Sequence, residues 1–184
     1  MRPRSPLRQP KTGNLAFTKV FAPVKKSDLR DAIVRELQQE LARQAGAAAM
    51  ARDEAISEES RAENKWDTHS QEAAYLAEGQ ARLAADVVGS IELYRTLPLP
   101  DFSADAVIAL GAVVEVEAVG GNRRTRYFIG PRAGGLELAF DGQPILVLTP
   151  QSPLGRQLVG KRAGESIQAV GRGRPAALQI VAVR

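Results

Sequence analysis

The chain changes character at Pro98-Leu99-Pro100, and no single regular architecture suits both sides of that break. Upstream, from Ser27 to Thr96, the residues are mostly Ala, Leu, Gln, Glu and Arg, which are good helix formers, and their apolar positions recur at helical spacing. Downstream, short β-branched runs alternate with glycine-bearing turns. A period near 3.6 cannot become a strand, nor a period of 2 a helix, so the two halves are expected to be an all-helical unit and a β-rich unit.

The helical half divides in two. Val34, Leu37, Leu41, Gln44, Ala48, Ala51 and Ala55 fit one heptad register, and Ala73, Ala77, Gln80, Ala84, Val87, Ile91 and Tyr94 fit a second. Ser27 or Asp28 is a suitable N-cap for the first helix, with Asp31 in its first turn. Two helices of similar length joined by a polar segment can close into an antiparallel hairpin. In that order, the bulky start of the first meets the bulky end of the second, and the two Ala-rich stretches meet at the far end. The spacing therefore predicts a tapering rod, about 40 Å long at about 1.5 Å per residue.

The other half offers strand-like runs at Val113–Val116, Tyr127–Ile129, Leu136–Phe140, Ile145–Leu148, Ile167–Val170 and Leu178–Val183. Gly120-Gly121-Asn122, Gly134-Gly135, Asp141-Gly142 and Gly171–Gly173 punctuate them. One short helix is expected at Pro153–Val159, with Gly160 as its C-cap. The expected fold is α+β: an N-terminal antiparallel α-helical coiled-coil hairpin over residues 27–97, a linker over 98–106, and a small antiparallel β-sheet domain with one short helix over 107–184.

Charge is arranged in blocks. Residues 1–26 hold seven Lys or Arg and no acid, residues 27–96 hold 14 acids against 8 bases, and residues 97–184 hold 10 bases against 7 acids. The first block reads as a basic, Pro-containing leader without its own core; it is either solvated or drawn to nucleic acid. It lacks the apolar stretch of a secretory signal, and no run approaches the roughly 20 apolar residues of a membrane span, so a cytoplasmic protein is expected. With no Cys, disulfides and thiolate chemistry are excluded, and a single His excludes two-histidine catalysis within one subunit.

The acids concentrate near the bend of the helical unit, in a tip spanning about residues 53–72. The segment DEAISEESRAENKWD, residues 53–67, carries six acids against Arg61 and Lys65. Crowded carboxylates repel unless a cation or a cationic surface meets them, and carboxylate oxygens suit Mg²⁺. A solvated loop with acids at a helix N-terminus accounts for the same composition. Trp66 and His69 are open to two readings as well, a contact with a partner or an aromatic closure of the bend.

The segment LTPQSPLGRQLVGKRAGESI, residues 148–167, resembles the C-terminal domain of Gre transcript-cleavage factors of bacterial RNA polymerase. The resemblance lies in Ser152-Pro153, Arg156, Leu158-Val159-Gly160-Lys161 and Glu165. It implies an FKBP-like fold for the β unit. It further implies docking at the polymerase secondary channel through Gln151, Ser152 and Pro153, with the hairpin running down the channel. Tip carboxylates would then help hold an Mg²⁺ shared with the polymerase and promote hydrolysis of backtracked RNA. On this chain those carboxylates would be Asp67, Glu72 and Glu63, with Asp67 and Glu72 nearest the metal. The family pattern has a Glu where Ser70 stands here, so a regulator that binds without promoting cleavage is the alternative.

The resemblance thus implies a monomeric accessory factor of transcription elongation, not itself an enzyme, with no tightly bound cofactor. Nascent RNA or DNA would be met only through the polymerase. Two other readings stand beside it. One is an FKBP-type prolyl isomerase with a helical arm, whose pocket would draw on Phe102, Tyr127, Phe128 and Phe140. The other is a coiled-coil arm that dimerises.

Overall fold

The computed structural model describes residues 25–56, 69–119, 124–169 and 176–184. Two long helices come first, α1 (Lys26–Ile56) and α2 (His69–Arg95). Strands β1 (Val113–Ala118), β2 (Arg124–Ile129), β3 (Glu137–Phe140) and β4 (Gln143–Leu148) follow, then the short helix α3 (Pro153–Leu158), and finally β5 (Ser166–Ala169) and β6 (Ala176–Val183). Helix α1 begins slightly before the expected cap, because the Leu29 amide already donates to the Lys25 carbonyl. The cap of α3 is Val159, and Gly160 follows it in the left-handed region at φ 87°.

The six strands form one sheet in the order β3-β4-β2-β1-β6-β5. The expectation of a wholly antiparallel sheet is corrected at one pair: β2 and β4 are parallel. The reason lies in β3 and β4 themselves. Ile145 and Val147 of β4 are fully buried and need neighbours on both sides, whereas Glu137 and Ala139 of β3 are exposed and suit an edge. The tight Asp141-Gly142 turn, with both residues at positive φ, folds β3 outward and leaves β4 beside β2, running the same way.

Alternation along the strands gives the sheet two apolar faces. One face gathers Val114, Val116, Tyr127, Ile129, Leu148, Ile180 and Val183 under α3, together with Leu158, Ile108 and Ile167. The β1–β6 register shifts between Glu115 and Val116, so Ile180 and Val183 share this face although they stand three positions apart. The opposite face presents Val113, Phe128, Ile145 and Val147, and the helices close it. Leu29, Ile33 and Leu37 from the start of α1 and Ile91 and Tyr94 from the end of α2 pack there together, with Leu97 just beyond α2. The start of one helix therefore lies beside the end of the other.

Further along this face the sheet is ionic. Glu115 and Arg126 are cross-strand neighbours, both buried, and Arg126 donates to the Phe140 carbonyl at 2.8 Å. The Arg184 guanidinium lies 3.6 Å from the Glu115 carboxylate.

Candidate functional site

The loop into α3 is shaped by one hydroxyl. Ser152 Oγ donates to the Thr149 carbonyl at 2.8 Å and accepts from the Gly155 amide at 3.0 Å, capping the helix. Pro153 takes the first helical position, where no amide hydrogen is needed. Gly155 is buried so close to the turn that a Cβ would lie 1.9 Å from the Thr149 carbonyl oxygen. The product is a tight knuckle whose outward residues are Gln151 and Pro153, both exposed. Of the three expected docking residues, the structure thus presents two at the surface and gives the third, half-buried Ser152, an internal task.

The rest of the motif is explained by the fold as well. Leu158 is fully buried in the core, and the Gly160 amide donates to the Ile108 carbonyl while the Ile108 amide donates to Lys161. Glu165 accepts from Lys161 Nζ at 2.9 Å and from the Arg162 amide at 2.6 Å. These bonds, the Lys161 one foremost, hold its carboxyl below the ordinary carboxylate range.

Among the described side chains, the two helices carry their full burial at one end. Beyond Leu41 on α1, Gln44 and Ala48 are half-buried, and the other side chains through Met50 are exposed. On α2, Gln80, Ala84 and Val87 are half-buried, while Tyr75, Leu76 and Leu83 are exposed. These half-buried positions fall on the two heptad registers, and Val87 packs against the core that the helix bases share with the sheet. Nearer the base, Tyr94 donates its hydroxyl to the Arg132 carbonyl at 2.7 Å, and the Arg132 side chain lies 3.8 Å from Asp86. Burial pushes the Tyr94 phenol above its ordinary range.

The acidic tip falls largely outside the described residues, and Asp67, Glu63 and Trp66 with it. Glu72 and His69 lie on the first turns of α2, with their side chains outside those described. Among the described residues no group of three or more acidic or His side chains is arranged to hold a metal. The four aromatic residues that an isomerase pocket would share are divided by the sheet: Phe102 and Tyr127 belong to one face, Phe128 and Phe140 to the other. Among the described residues, no helix is long and apolar enough to cross a membrane.

No protein-family model and no curated protein matches the chain. Solved structures do. They include Gfh1 of Thermus aquaticus, at 21% identity and a TM-score of 0.38 over 81% of this chain and 92% of that one. They also include GreA factor homolog 1 (Gfh1) of Thermus thermophilus, at 19% identity and a TM-score of 0.36 over 82% and 94%. The prokaryotic transcription elongation factor GreA/GreB from Nitrosomonas europaea matches at 14% identity and a TM-score of 0.34 over 48% and 64%. Sequence reasoning did not single out Tyr94 or Gly155 for the contacts they make, because each depends on a partner distant in the chain or brought close by a turn.

Proposed function

We propose that this chain is a Gre-type accessory factor of RNA polymerase: the sheet module anchors it, and the α1–α2 pair, read as a coiled-coil hairpin, reaches into the secondary channel. The observation that carries this reading is the one-ended burial of the helices. Leu29, Ile33, Leu37, Ile91 and Tyr94 seat the base on the sheet, while the described side chains of residues 42–50 and 75–83 are exposed apart from half-buried Gln44, Ala48 and Gln80. At about 1.5 Å per residue, the 31 residues of α1 span about 45 Å. A slim helix pair whose joining segment is rich in carboxylates by sequence suits delivery of charge to a site too confined for the module.

The docking surface in this reading is the knuckle, with Gln151 and Pro153 meeting the polymerase and Ser152 holding them in place. The reaction belongs to the polymerase, and the chain supplies position and charge. A divalent ion there would stabilise the attacking and leaving oxygens of RNA hydrolysis, and Asp67 and Glu72, with Glu63, are the candidate contributors. Ser70, in place of the family's acid, favours a second version of the same reading, in which the factor binds and modulates elongation without promoting cleavage.

Capture of core polymerase by the purified chain, followed by incubation with a backtracked elongation complex, tests both. Retention of the polymerase with Mg²⁺-dependent shortening of the transcript is the expected result, and Asp67→Ala abolishes the shortening while leaving capture intact. Capture without shortening leaves the non-cleaving version, and failure of capture ends the proposal. Gln151→Ala weakens capture without touching the fold, because its side chain is exposed.

A further inference from the structure

Where the helix pair meets the sheet, one cation ties α1 to the connecting segment. Lys26, the first residue of α1, extends its ammonium to the Pro100 carbonyl and over the Phe102 ring, 4.7 Å from the centroid. Both partners belong to the segment that connects the helices to the sheet. That segment is itself fastened to the module. Phe102 packs against the α3-side core, Arg162 Nη1 donates to the Asp105 carbonyl, and the Pro98 carbonyl lies so close to Gly111 that a Cβ there would approach within 2.8 Å. Gripping Pro100 and Phe102 is therefore gripping the module.

From this geometry we infer that Lys26 is a positioning residue that sets the angle of the rod. Apolar contacts at the base are non-directional and tolerate small rotations, whereas a hydrogen bond and a cation held over one ring fix a direction. Burial lowers the Lys26 pKa, and neighbouring Asp101 opposes that shift, consistent with a side chain drawn in from water. A second tie lies across the base, where Tyr94 and Arg132 join α2 to the β2–β3 loop. Together the two fasten both helices at separate points. That this angle matters for reaching a confined site rests on the function proposed above; the joint itself does not.

The chain has no cysteine, so a labelled pair introduced as Ala45→Cys on α1 and Ser166→Cys on β5 is unique. Both positions are exposed. Distances between spin labels at these sites report the rod's orientation in the full chain. With Lys26 intact, a single narrow distribution is expected. Lys26→Met keeps the aliphatic stem and loses the cation, and raises the population outside that distribution roughly tenfold. Lys26→Arg restores the narrow distribution. An unchanged distribution in Lys26→Met overturns the inference, as does one equally broad in Lys26→Arg. In the polymerase assay, Lys26→Met is expected to keep capture and to lose the effect on the transcript. If the distribution broadens but the transcript effect is unmoved, the joint stands and the delivery role proposed for it falls.

Discussion

At the scale of single residues, small groups in tight places set the geometry. Gly155→Ala forces a methyl against the Thr149 carbonyl, with backbone on both sides of the contact. It should cost roughly 2–4 kcal/mol and lower the melting temperature sharply. Ser152→Ala removes the cap and leaves the Thr149 carbonyl with one donor fewer, at a cost of about 1 kcal/mol in chemical denaturation. Its effect on polymerase capture should then follow the loosened knuckle rather than a lost direct contact. Tyr94 makes stability depend on alkaline pH. Burial raises its folded pKa above the unfolded value of about 10, so its contribution is complete below that pH and falls away as pH rises beyond it. Tyr127 is shifted in the same direction by its own burial. Denaturation midpoints should decline above about pH 10, and Tyr94→Phe should flatten that decline while lowering stability at neutral pH.

At the scale of elements, the sequence was most readable where a pattern is local. All six strands announced themselves by apolar runs between turn residues, β-branched in all but β3, and Val87, Ile91 and Tyr94 by their spacing. Leu29 and Ile33 escaped the heptad count because they face the sheet, and the register beginning at Val34 sought only a partner helix. The parallel β2–β4 pair was equally hidden, since alternation shows which face a residue takes but not which strand lies alongside. Gly155 and Lys26 show the same limit more sharply: a clash with a carbonyl or a grip on a distant ring exists only once the chain has folded. The helices carry a cost that the pattern does reveal. Gly46, Gly79 and Gly89 lie inside α1 and α2 with open space where a Cβ would stand. Replacing each with Ala should stabilise the helices by about 0.5–1 kcal/mol, measurable as added ellipticity and a higher melting temperature.

At the scale of the whole molecule, the helices carry one structural task and one proposed task, and the two can be separated. Their base completes a core: without it, Val113, Phe128, Ile145 and Val147 would meet water as one apolar face, a surface that promotes aggregation. Their outer part contributes little to that core, since among the described side chains beyond Leu41 and before Ala84 only Gln44, Ala48 and Gln80 are half-buried and the others stand exposed. Removing residues 45–79 and closing Gln44 to Gln80 with a short Asn-Gly turn should therefore leave the module folded, with a melting temperature within a few degrees of the full chain. The shortened protein keeps the Gln151–Pro153 knuckle intact and should still capture the polymerase. It should have lost every effect on the backtracked transcript, because the carboxylates proposed to act there, Glu63, Asp67 and Glu72, went with the removed residues. A shortened chain that retains the effect would locate the activity in the module and deprive the rod of its purpose.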